Sequence, residues 1–162
     1  MTNQTAPIKR SKQLAPLSRE HHEGLLFAWK ISQGLANHTA LDTLRSFVLW
    51  YWKHHIKPHF YQEEKILSPH MPPGHPLLVR MKEEHEHIRE LILNMDEEAD
   101  KRTLVLLADL VNHHIRFEER ELFAWLESNL APGKLDQIFE QLEKHPVHDD
   151  TWTDEFWISK PK

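Results

Sequence analysis

The chain has 162 residues, 40% of them apolar and 28% charged, with a formal net charge of −5. That length suits one domain with a single substantial core, and an acidic balance with no recurring basic face argues against a nucleic-acid binder. The lack of cysteine excludes disulfides, thiolate metal sites and cysteine nucleophiles, while 14 histidines raise the question of a metal without answering it.

Residues 1–16 read as a flexible polar arm carrying Lys9, Arg10 and Lys12, without the apolar segment of a secretory signal. No apolar run approaches the length of a membrane span, so the cytoplasm is the expected compartment and no membrane partner is expected. A first helix is predicted over 18–37, with Ser18 as its cap. Thr39 is placed to cap a second helix that runs to residue 67, where Ser68-Pro69-His70-Met71-Pro72-Pro73-Gly74 breaks the chain. A third helix is predicted over 76–97, a fourth over 101–129 and a shorter one over 134–144. The remaining tail has no period, but Trp152, Phe156 and Trp157 are large enough that it should fold back onto the helices.

Apolar residues recur at steps of three and four along these helices, which keeps them on one face. The second helix gives Leu44, Val48, Trp52, His55, His59, Glu63 and Ile66. The third gives Leu78, Met81, His85, Ile88, Ile92 and Met95, and the fourth Leu107, Val111, His114, Glu118, Leu122 and Trp125. Polar residues thus continue each apolar stripe and are expected to point inward, with Trp29, Trp52 and Trp125 in the core. No strand pattern competes. Four helices joined by short loops predict an all-α, up-down-up-down antiparallel four-helix bundle over 17–130. Residues 131–162 would add a short C-terminal helix and an aromatic tail packed on it.

Within the stripes, HFYQEE at 59–64 and HIRFEE at 114–119 repeat one pattern, a histidine followed four residues later by a glutamate. Residues four apart on a helix share a face, so His59 with Glu63, and His114 with Glu118, can aim a nitrogen and a carboxylate at one point. A bare buried carboxylate costs several kcal/mol and must be paired, protonated or metal-bound. No Lys or Arg in the stripes is placed to pair with both glutamates, whereas two cations sharing them would satisfy both. The other two helices offer lone histidines. His22 is followed at +3, +4 and +7 by Leu25, Leu26 and Trp29, a pattern close to that after His85, so His22 and His85 are assigned inward and His21 is held as the alternate. His55, one turn before His59, is a further candidate, because Pro58 between them favours a local distortion. Glu64 and Glu119 are expected as outer hydrogen-bond acceptors or surface residues. His54, His87 and His113 are expected at the periphery, and His38, His70, His75, His145 and His148 in loops or the tail.

The order His, His-x-x-x-Glu, His, His-x-x-x-Glu, carried by REHHEGLL, HFYQEEKIL, EEHEHIREL and HIRFEEREL, resembles the hemerythrin-like (HHE cation-binding) family over roughly residues 17–129. The resemblance implies a non-haem di-iron centre. Its histidine ligands would be His22, His59, His85 and His114, and its bridging carboxylates Glu63 and Glu118, with oxo, hydroxo or water ligands completing the coordination; manganese or zinc also suit such donors. It further implies binding or sensing of a small diatomic ligand, dioxygen or nitric oxide, or handling of iron. The alternatives are a redox-active di-iron enzyme, peroxidase-like or repairing iron centres, and an iron-responsive regulatory module. Oxygen-carrying members have a second histidine on the third helix where this chain has Met81, and an aspartate five residues after the fourth-helix histidine where this chain has a glutamate after four. Ferritin-like di-iron proteins place glutamate three residues before histidine, the reverse of the order here.

Overall fold

The computed structural model describes residues 9–95, 97–147 and 150–159; residues 1–8 of the expected arm, and His148 of the tail, lie outside that description. The described residues are helical with no strand. α1 is Ala15–Ala36. α2 covers 41–67 and α4 covers 101–129, each a continuous helix interrupted by wider π turns; α3 is Pro76–Leu93 and α5 is Pro132–Lys144. α1 and α3 both pack on α4, and α2 contacts both α1 and α3. No helix among the described residues is long and apolar enough to cross a membrane.

Local chemistry sets the starts. Pro16 sits in the first turn of α1, where a missing amide costs nothing. Ser18 is therefore not the cap; its hydroxyl donates to Glu119 at 2.9 Å. Thr39 is not a cap either, because Ala40 precedes α2 and no side chain caps it. His75 caps α3, its Nδ1 accepting from the Leu77 amide at 3.1 Å, and Asp100 caps α4 through the Thr103 amide at 2.8 Å. α3 stops at Leu93, short of the expected 97.

From Arg10 onward the expected arm is packed rather than free. The Arg10 guanidinium bonds Glu127 at 2.9 Å and the Glu119 carbonyl at 2.6 Å, and Leu14 is fully buried. At the other end Phe156 is buried, its ring 5.0 Å from Phe47, with Trp152 5.5 Å from the same ring. The Asn37 side-chain amide donates to the Phe156 carbonyl at 3.1 Å. Trp29, expected in the core, is 49% exposed.

Two apolar clusters form the core. One holds Phe27, Ile31, Leu44, Phe47, Ile92 and Leu104; the other holds Leu17, Leu67, Met81, Leu122, Phe123 and Ile138. His21 on α1, Glu63 on α2 and His85 on α3 fall in sequence between members of the two clusters, while His59 and His114 lie at the edge of the first.

Gly34 makes the C-terminal seat possible, since a Cβ there would lie 2.6 Å from Leu44 Cδ2 and 2.8 Å from the Phe156 ring. Gly34→Ala should lose about 1–3 kcal/mol to overpacking, outweighing the gain of up to about 1 kcal/mol from helix propensity. Urea unfolding measures the balance, and a net stabilisation would mean that Phe156 is not seated there.

Candidate metal centre

Among the described residues seven polar ones are buried: His21, His59, Gln62, Glu63, His85, His114 and Glu118. Six of them converge, and Gln62 instead donates to the His145 carbonyl at 2.7 Å. Glu63 and Glu118 are both 0% exposed, and among the described residues their ion-pair partners are all histidines. His21 Nε2 lies 3.0 Å from Glu118 and 3.6 Å from Glu63, and His85 Nε2 lies 3.1 Å from Glu63 and 3.7 Å from Glu118. His59 Nε2 is 3.3 Å from Glu63, and His114 Nε2 is 2.8 Å from Glu118. These last two approach within one helix without hydrogen-bonding geometry. His59 Nε2, His114 Nε2, Glu63 Oε2 and Glu118 Oε2 are all buried without a hydrogen-bond partner.

The six side chains form two quartets: His21, His59, Glu63 and Glu118, and His85, His114, Glu63 and Glu118. In each, the donor atoms lie within 4.8 Å of one another. Both glutamates belong to both quartets. Imidazole and carboxylate donors gathered in this way, several of them without a hydrogen-bond partner, suit a pair of divalent transition-metal ions, so the residues present fit such a group.

An outer layer surrounds the quartets. Every inward histidine turns Nε2 to Glu63 or Glu118 and Nδ1 to a second carboxylate. His59 Nδ1 meets Glu20 at 3.1 Å and His114 Nδ1 meets Glu84 at 2.8 Å, both hydrogen bonds. His21 Nδ1 is 3.5 Å from Glu119, and His85 Nδ1 is 3.5 Å from Glu64. Carboxylates in this position fix the orientation and tautomer of a ligating imidazole. The helical stripes do not single out Glu20 and Glu84 for this role. The available signal is the Glu-His dipeptide that recurs as Glu20-His21 and Glu84-His85.

His22 is exposed and His21 buried, so the inward assignment of His22 is overturned. The apolar neighbours of His22 mislead, because α1 approaches α4 closely at a glycine on the His21 face. A Cβ on Gly24, three residues after His21, would lie 2.8 Å from Ile115 Cδ1, and Ala28, seven residues after, is 1% exposed. Small side chains mark the face where two helices approach closely.

His55 also lies outside both quartets. Its ring stacks on Tyr51 at 4.7 Å, and its Nε2 is 3.2 Å from the Asp150 carbonyl. A π turn over Trp52–Ile56, ending two residues before Pro58, adds a residue to the turn and shifts the face, burying Tyr51 and Ile56 where the stripe placed Trp52 and His55. Two further π turns, Glu63–Leu67 and Glu118–Leu122, begin at the central glutamates themselves. Of the peripheral histidines, His87 and His113 are exposed, and His54 Nδ1 is 2.8 Å from Asp150.

The electrostatics follow from burial against pairing. Burial lowers the His59 pKa, but the charge of nearby Glu63 and the bond to Glu20 outweigh it and hold the ring at about 9. The same contest raises His21, His85 and His114. Burial and the Glu118 charge raise Glu63, while His59 and His21 win and hold it at about 2. Glu118 is lowered in the same way, against burial, first by His114.

These features define a helical protein with a buried histidine–carboxylate cluster compatible with metal binding. A family model, the hemerythrin HHE cation-binding domain, matches residues 13–126, and the chain belongs to that family. No curated protein and no solved structure matches it.

The pH dependence of the chelator-stripped protein follows with a definite sign. His59, raised from 6.5 to about 9, contributes stability that is full below 6.5 and lost as pH rises through about 9. Glu63, lowered from 4.5 to about 2, contributes stability present above 4.5 and lost as pH falls toward 2. Urea midpoints of the stripped protein should therefore peak between these two ordinary values and decline through the alkaline range. A midpoint that rises with pH toward 9 would contradict the cluster's charge pattern.

Proposed function

We propose that the chain is a di-iron protein in which one ion is held by His21 and His59 and the other by His85 and His114, with Glu63 and Glu118 shared between them. The single observation that supports this reading is the pair of quartets with both glutamates in common. Four protein donors per ion leave room for water or a small exogenous ligand. The bound ions would supply redox-active Lewis-acid centres, and by family analogy the molecule that uses them is dioxygen or nitric oxide, bound or sensed, or iron itself. The chain's own residues keep the imidazoles oriented through Glu20, Glu64, Glu84 and Glu119 and exclude bulk water with Phe60, whose ring stacks 3.7 Å from His85. An up-down-up-down antiparallel bundle over residues 17–130 is the topology that accommodates two hairpins, each contributing one half of the donor set. The absence of cysteine supports a cytoplasmic setting.

Elemental analysis of the purified chain should find about two irons per chain, the count that one ion per quartet implies. His21→Ala and His114→Ala should each lose most of that metal, whereas His22→Ala should retain it. Equal retention by all three variants would sink the assignment, and zinc or manganese in place of iron would change the metal while keeping the site.

A further inference from the structure

A cavity of about 890 Å³ opens between α1, α2 and the C-terminal segment, and its lining includes His21, His59 and His114 of the cluster. A diatomic molecule needs a small fraction of that space. Cavities of roughly 300–1,000 Å³ are the size that takes whole organic ligands. The wall is aromatic, built from Phe27, Phe47, Trp50, Tyr51, Phe60 and Trp152.

Its charge is one-sided. Among the described lining residues Glu20, Glu23, Glu143, Asp150 and Glu155 are acidic, against Arg19 and Lys30. Glu20 is engaged by His59, and Asp150 by His54; of the remaining Glu23, Glu143 and Glu155, Glu23 is the one whose charge acts on Tyr51. Lys30 is itself occupied, its ammonium 4.1 Å over the Trp157 ring. The C-terminal wall therefore already receives one ammonium on an aromatic face, the arrangement that recognises organic cations.

Tyr51 supplies the polar contact. It is 8% exposed and lines the cavity, and no described residue hydrogen-bonds its hydroxyl. Burial, with the charges of Glu23 and Glu20, pushes its phenol up, so it stays protonated and can both donate and accept.

We infer that this cavity binds a small aromatic amine in its ammonium form, with its ring against the aromatic wall and its nitrogen near Glu23 and the Tyr51 hydroxyl. A carboxylate of the same shape is rejected by the acidic lining. The site goes beyond the di-iron reading and does not depend on it, since none of Glu23, Tyr51 and the aromatic wall belongs to the quartets.

Calorimetric titration of the full chain with 2-phenylethylamine, 2-phenylethanol and 3-phenylpropionate tests this at neutral pH. The amine should bind saturably at one per chain, the alcohol about three- to tenfold more weakly, and the carboxylate without saturation. Glu23→Gln should weaken the amine about three- to fivefold and leave the alcohol unchanged, and Tyr51→Phe should weaken both about fivefold. No saturable binding of the amine, carboxylate binding as tight as the amine, or wild-type amine binding in both variants would overturn the proposal. Metal content measured on the same samples keeps the two claims apart, because metal-free protein that binds the amine refutes only the di-iron reading.

Discussion

Two carboxylates buried to zero exposure constrain the rest of this molecule. Each would cost several kcal/mol if left unpaired, and among the described residues neither has a Lys or Arg as an ion-pair partner. The compensation comes from four imidazoles, one from each of α1 and α3 and one from each of α2 and α4, which meet Glu63 and Glu118 through Nε2. Those imidazoles are held in turn by carboxylates on the outer side. Charge thus alternates outward from the centre, and the two apolar clusters lie on either side of it. The inward atoms of His59, His114, Glu63 and Glu118 that lack a hydrogen-bond partner among the described residues are compatible with metal binding.

The outer carboxylates also tie the helices together. Neighbouring residues on a helix point about 100° apart, so the glutamate of a Glu-His pair cannot serve the histidine beside it. Glu20 of α1 instead holds His59 of α2, and Glu84 of α3 holds His114 of α4. Glu64 of α2 faces His85 of α3, and Glu119 of α4 faces His21 of α1. Each outer contact crosses from one helix to another, closing a ring of four that fixes their relative register. The π turns that begin at Glu63 and Glu118 carry Glu64 and Glu119 within this ring.

Much of this arrangement is legible in the amino-acid sequence. The helices emerge from three-and-four spacing, and His59, Glu63, His85, His114 and Glu118 emerge as polar positions continuing apolar stripes. Three features stay hidden for identifiable physical reasons. The choice of His21 over His22 depends on how closely α1 approaches α4, which smallness at Gly24 and Ala28 reports and hydrophobicity does not. The fate of His55 depends on a π turn, and a constant helical period cannot represent an inserted residue. The packed arm from Arg10 rests on ion pairs with Glu119 and Glu127, more than a hundred residues away, a separation beyond local pattern. The Glu-His dipeptides Glu20-His21 and Glu84-His85 are visible and mark half of the outer layer, although Glu86-His87 repeats the pattern outside it.

The cavity beside the cluster and the aromatic seat of the C-terminal segment share Trp50 and Trp152, whose ring centres lie 5.5 Å apart. The central claim is that both buried glutamates are shared between two ions. Anomalous diffraction at the iron edge from a crystal of the iron-loaded chain tests it most directly. The account predicts two peaks, about 3.5–4 Å apart as in other two-metal sites, each bordered by Glu63 and Glu118. A single peak, or peaks that touch only one of the two glutamates, would contradict it.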